Sequence, residues 1–77
     1  MNKYRRGVLE SAAERLEELI DGLEGICNDE QEAYDNLPES LQDSERGEQM
    51  SENIDDLEQV TSDLEDIIDV IRNIIDR

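Results

Sequence analysis

The sequence predicts an all-α fold, an antiparallel helical hairpin with a short proline-containing connection, and three observations carry that expectation. Apolar residues recur at helical spacing in two segments of similar length. The single proline stands between those segments. The candidate core is Leu, Ile, Val and Ala, with Tyr4 and Tyr34 the only aromatic residues and no Trp, Phe or His. Such a core suits packed helices better than a sandwich or barrel, which needs several strands and turns. A chain of 77 residues is enough for one small domain, residues 1–77, with a thin core.

The first helix is expected over about 3–34. With Leu9 at heptad position a, Leu16 and Leu23 share that position and Ala12, Leu19, Ile26 and Ala33 take d. Ala13, Ile20, Cys27 and Tyr34 fall at e. The acids Glu10, Glu14, Glu17, Glu18, Asp21, Glu24, Glu32 and Asp35 all occupy b, c or f, so one face is apolar and the other anionic. Gly22 and Gly25 lie inside this segment and cost about 1 kcal/mol each relative to Ala, as weak spots, a kink or a close helix approach.

The connection is expected over about 35–44. Pro38 disfavours helical geometry at Leu37 and lacks an N–H, so the first helix should end just before it. Pro38 also suits the start of a short new turn capped by Asn36 or Leu37. Asp43 or Ser44 can cap the second helix. Leu37 and Leu41 are expected to fold back onto the hairpin end, giving a short, ordered connection and antiparallel neighbours.

The second helix is expected over about 45–75. With Leu57 at a, Met50, Leu64 and Ile71 share that position. Val60, Ile67 and Ile74 are d, and Ile54, Thr61, Ile68 and Ile75 are e. Glu30 and Asn53 interrupt the core positions near the hairpin end, where the seam should be wetter. Both stripes span a, d and e, wider than a strict two-stranded seam. A wide stripe calls for more than one neighbour. A second copy forming a four-helix bundle with twofold symmetry is the simplest, and the body of a target protein is the alternative. Leu16, Leu19, Leu23, Ile26, Leu57, Leu64, Ile67 and Ile71 are the expected core and dimer stripe. High charge and few aromatics also describe disordered chains, but regular apolar spacing argues for a fold.

Charge narrows the function. Net charge is −16, and residues 8–71 carry 22 acids against Arg15 and Arg46. Nucleic acid and anionic membranes are poor partners for such a body, whereas a basic protein surface is its complement. The basic N-terminus, Lys3 with Arg5 and Arg6, reads as solvated terminal charge. No apolar run is long enough to cross a membrane, and no apolar stretch of signal-peptide type follows Lys3-Tyr4-Arg5-Arg6. Cys27 is alone, so no intramolecular disulfide forms, and position e makes it a small buried hydrophobe rather than a reactive thiol.

Chemistry-bearing motifs are missing. There is no Ser-His or Cys-His pair and no glycine-rich phosphate loop. Acids on outer helix positions offer no shaped pocket for acid–base catalysis, so no enzyme activity is expected. Asp29-Glu30-Gln31-Glu32 and Asp55-Asp56 do not fit a calcium loop, and Cys27 has no zinc-binding companions. No metal or cofactor is expected. Typical surface helices mix Glu with Lys at i,i+4, while this one stacks like charges at a cost in stability. A net −20 over a hairpin body of roughly 45 Å gives about one charge per 2.2 Å, near the ~1.7 Å of duplex DNA. Nucleic-acid mimicry is therefore a physical option. The expected contact residues are Glu17, Glu18, Asp21, Glu24, Asp55, Asp56, Glu58, Asp66 and Asp69 on the acidic faces. Tyr34, Leu37, Leu41 and Arg46 are expected to add shape at the tip.

The stretch Tyr34-Asp-Asn-Leu-Pro-Glu-Ser-Leu-Gln-Asp-Ser-Glu-Arg-Gly-Glu-Gln-Met, followed by an acidic helix, resembles small acidic hypothetical proteins of phages and mobile elements of Gram-positive bacteria. The resemblance centres on residues 34–50 and brings no functional residue with it. In size and charge the chain is also similar to phage inhibitors of host defence, including DNA-mimicking anti-restriction and anti-CRISPR proteins. The resemblance implies an inhibitor in the cytoplasm of an infected or lysogenic host, bound to a basic host protein or nucleoprotein complex. The alternative is a structural coiled-coil protein assembling through its apolar stripe.

Overall fold

Asn2 opens the first helix: its Oδ1 accepts the Arg5 N–H at 2.8 Å, satisfying one free donor of the first turn. From there α1 runs uninterrupted over Lys3–Asp35. The computed structural model describes all 77 residues, with a one-turn helix, α2 (Glu39–Gln42), and a second long helix, α3 (Glu45–Asp76), completing the chain. It contains no strand.

Both long helices end one residue later than the sequence suggests, a shift within ordinary fraying. Pro38 acts as expected by stopping α1, but it sits at the cap of α2 rather than at its first helical position. The α3 cap is Ser44, whose hydroxyl accepts from the Gly47 N–H and donates to the Leu41 carbonyl. Gly22 and Gly25 break nothing, and a Cβ at either would meet open space.

The long helices pack antiparallel into a rod of 59 × 15 × 13 Å. Their seam is thin. Ala13, Ile20 and Ile68 form its centre, flanked by half-buried Leu16, Leu64 and Ile71. Ala13 is fully buried, and its small side chain lets α3 approach closely. Towards the tip Met50 and Ile54 close the seam, and the Cys27 thiol points at the Ile54 carbonyl, 3.9 Å away. The polar interruption expected there is a matched pair: Asn53 Nδ2 donates to Glu30 Oε2 at 2.8 Å. At the open end Arg72 reaches across to Glu10 at 3.0 Å and Glu17 at 2.6 Å.

Those are the chain's only ion pairs. Lys3, Arg5, Arg6, Arg15 and Arg46 pair with nothing. The first three sit in the first turn of α1, where the helix dipole is positive, and Glu32 and Asp35 sit in its last turn, where it is negative. Both placements oppose the dipole, at about 0.3–1 kcal/mol per charge at low salt. The N-termini of α2, with Glu39, and of α3, with Glu45 and Glu48, carry the favourable sign.

Candidate interaction surfaces

Helical geometry divides the wide apolar stripe in two. On each long helix the a and e positions turn inward, so the seam axis lies between them. Position d then lies about 80° round the helix from that axis. Because the helices are antiparallel, the two d rows turn to the same side of the rod. Ile26 and Val60 accordingly line one groove, edged by Asp29 and Asp56. One heptad away Leu19 and Ile67 repeat the pair. All four are half in solvent, with Leu19 at 58% exposure, Ile26 at 57%, Ile67 at 48% and Val60 at 45%. Val8 and Val70 extend the apolar row toward the open end.

The expected stripe is therefore two surfaces. Leu16, Leu23, Leu57, Leu64 and Ile71 are half-buried along the seam, whereas Leu19, Ile26 and Ile67 cover an open face. In the sequence all eight fall in one band, since a hydrophobic arc does not say which part of it a single neighbour covers.

The opposite side of the seam is acidic. Glu17, Asp21 and Glu24 from α1 and Glu65, Asp69 and Arg72 from α3 line one groove floored by Ile20 and Ile68. Arg72 is its only base. Hydrogen bonds donated to Glu17 and then to Glu10 hold its guanidinium more firmly protonated than usual. The remaining expected acids scatter. Asp56 edges the apolar groove, while Glu18, Asp55, Glu58 and Asp66 are exposed outside the acidic groove. Of the nine acids, four share this groove: Glu17, Asp21, Glu24 and Asp69. Glu65 joins them, an acid outside the nine expected contact residues.

The tip is more ordered than a loop. Tyr34 and Leu37 are half-buried, while Leu41 and Arg46 are exposed. Gln42 Nε2 donates to the Tyr34 and Leu37 carbonyls at 3.4 and 3.5 Å, adding to the Leu37 N–H that already bonds the Tyr34 carbonyl where α1 ends. Gly47 is buried at this junction, and a Cβ there would stand 2.1 Å from the Gln42 oxygen and 2.7 Å from the Leu41 oxygen. Sequence reasoning missed Gly47, because its need arises from backbone folded against it from α2.

Nothing in the side-chain arrangement gathers three or more thiol or carboxylate groups around a metal position. Burial pushes the Cys27 thiol pKa up, and the charge of Glu58 adds to the effect. No helix is long and apolar enough to cross a membrane.

Spread over the 59 Å rod, sixteen net charges amount to about one per 3.7 Å. That is near half the density of duplex DNA at ~1.7 Å. The sequence estimate was higher because it used the −20 of the body and left out the length of the tip and terminal turns. No protein-family model, no curated protein and no solved structure matches the chain.

Proposed function

We propose that this chain is a non-catalytic binding protein, a phage-type inhibitor that sets its acidic face into a basic groove of a host nucleic-acid-handling defence complex. The observation that carries the reading is the continuous acidic groove of Glu17, Asp21, Glu24, Glu65 and Asp69, five acids against one already neutralised base. Such a face draws a basic partner by long-range attraction and releases the partner's counterions on contact. It acts in the host cytoplasm and competes with nucleic acid rather than binding it. The test is capture of host proteins on the tagged chain in low and high salt, with duplex DNA as competitor. A basic nucleic-acid-binding protein should be retained at low salt and displaced by duplex DNA. Changing the five acids to Gln and Asn together should abolish that retention. Retention unchanged by both the DNA and the substitutions would exclude the mimic.

The exposed apolar face favours a second reading, a structural protein assembling through Leu19, Ile26, Val60 and Ile67, first of all as a homodimeric four-helix bundle. Leu19→Asp then abolishes assembly while the acid substitutions leave it intact. The two readings are compatible, since a dimer formed through the apolar face keeps both acidic grooves outward.

A further inference from the structure

We infer that the occupant of the apolar face is a second copy of this chain laid antiparallel, each copy's open end over the other's tip. The inference rests on the dimer reading above and adds its direction.

Area permits it. The rod's face of 59 × 15 Å offers a footprint of about 900 Å², against the ~800 Å² per partner of a standard stable interface. The row that a copy would cover is the d row, Leu19 and Ile26 beside Ile67 and Val60. Gly22 lies between Leu19 and Ile26 with open space beyond its Cα, so nothing there holds a neighbouring helix away.

Charge sets the direction. Residues 1–9 and 70–77 meet at the open end and carry five bases and one acid, a net +4, while residues 10–69 carry −20. A parallel pair would stack +4 on +4 and acidic tip on acidic tip. An antiparallel pair sets the basic end of each copy, with Lys3, Arg5 and Arg6, over the acidic tip of the other, with Glu32, Asp35 and Glu39. The single hairpin leaves all six of these residues without ion partners. Lys3, Arg5 and Arg6 in the first turn and Glu32 and Asp35 in the last turn of α1 also oppose its dipole, and an antiparallel copy neutralises both ends at once. Exposed Met1, Tyr4 and Val8 give that end apolar surface as well.

The experiment is pulsed dipolar spectroscopy on the full chain with Cys27→Ala and a nitroxide on Ser40→Cys at the exposed tip, after sedimentation has fixed the mass. A dimeric mass with a label separation approaching the 59 Å rod length is expected. A dimeric mass with a separation near two helix diameters, about 20–24 Å, means a parallel pair, which overturns the direction and leaves the dimer. A monomeric mass at high micromolar concentration overturns the dimer itself. A charge swap gives a second readout. Reversing Lys3, Arg5 and Arg6 to Glu should weaken the dimer about tenfold or more at low salt, as expected for several exposed pairs lost together. Adding Glu32→Lys, Asp35→Lys and Glu39→Lys in the same chain should restore it. No change on reversal, or no recovery on the swap, overturns the antiparallel pairing.

Discussion

Gly47→Ala should destabilise the hairpin although alanine is the better helix former. The added Cβ would lie 2.1 Å from the Gln42 oxygen and 2.7 Å from the Leu41 oxygen, where ordinary contact starts near 3.4 Å. Both obstacles are backbone, so α2 must move off α3 by more than 1 Å. That movement strains the Ser44 cap on Gly47, worth about 1 kcal/mol. It also strains the Ser44–Leu41 bond and the two long Gln42 bonds, together worth about 1–2 kcal/mol. Against this stands a gain of about 1 kcal/mol in helix propensity. The net loss is about 1–2 kcal/mol, or roughly 5–15 °C in melting temperature for a domain of this size. Far-UV circular dichroism melts at one fixed protein concentration measure it. Gly25→Ala is the matched control, because its Cβ enters open space and the propensity gain of about 1 kcal/mol should raise the melting temperature. If Gly47→Ala melts at or above the parent chain, the tight α2–α3 junction is wrong.

Two further outcomes follow from single side chains. Arg72→Gln should lower the melting temperature at low salt, because Glu10 and Glu17 then face each other without the cation between them. The deficit should shrink in 1 M NaCl, and a deficit independent of salt would mean that Arg72 acts by packing instead. Cys27 should alkylate more slowly than a free thiol at neutral pH, with its pH–rate midpoint above the ordinary thiol value. The raised value also means that the stability it contributes is present below the ordinary thiol pKa and lost as pH rises through the raised one. A midpoint at or below the ordinary value would place the thiol outside the seam.

Much of the hairpin was legible because its signals are local. Pro38 removes a donor and fixes its own φ, and Ser44 offers an oxygen where free N–H groups begin. The heptad runs in both long segments carry their period in the residue order itself. What stayed hidden depends on a neighbour. Leu16 and Leu19 look alike in sequence, yet one is half-buried and the other mostly exposed. A lone partner helix covers the arc between a and e, and nothing within one helix reveals that choice. Glu30 and Asn53 read as a wet patch, but their hydrogen bond exists only once the antiparallel register is known. Arg72 is similar, since its partners lie 55 and 62 residues away. The acidic groove was half-legible. The sequence showed that the acids other than Glu30 avoid the seam, but not that only b and f acids of the two helices converge.

The two candidate surfaces also bear on each other through charge density. One hairpin, at about one net charge per 3.7 Å, is too dilute to imitate duplex DNA closely. Two copies laid side by side along the same 59 Å carry twice the charge, about one per 1.8 Å, against ~1.7 Å for the duplex. The apolar face would then be what makes the acidic face effective. The two interactions should respond to salt in opposite directions. Bringing two −16 bodies together is opposed by their net repulsion, so added salt should tighten the dimer even as it screens the pairs at its ends. Binding of the acidic groove to a basic partner loses its attraction under the same screening. A salt series followed by sedimentation and by partner capture would separate the two. Leu19→Asp should then weaken capture without touching an acid, because the monomer it leaves presents only half the charge density.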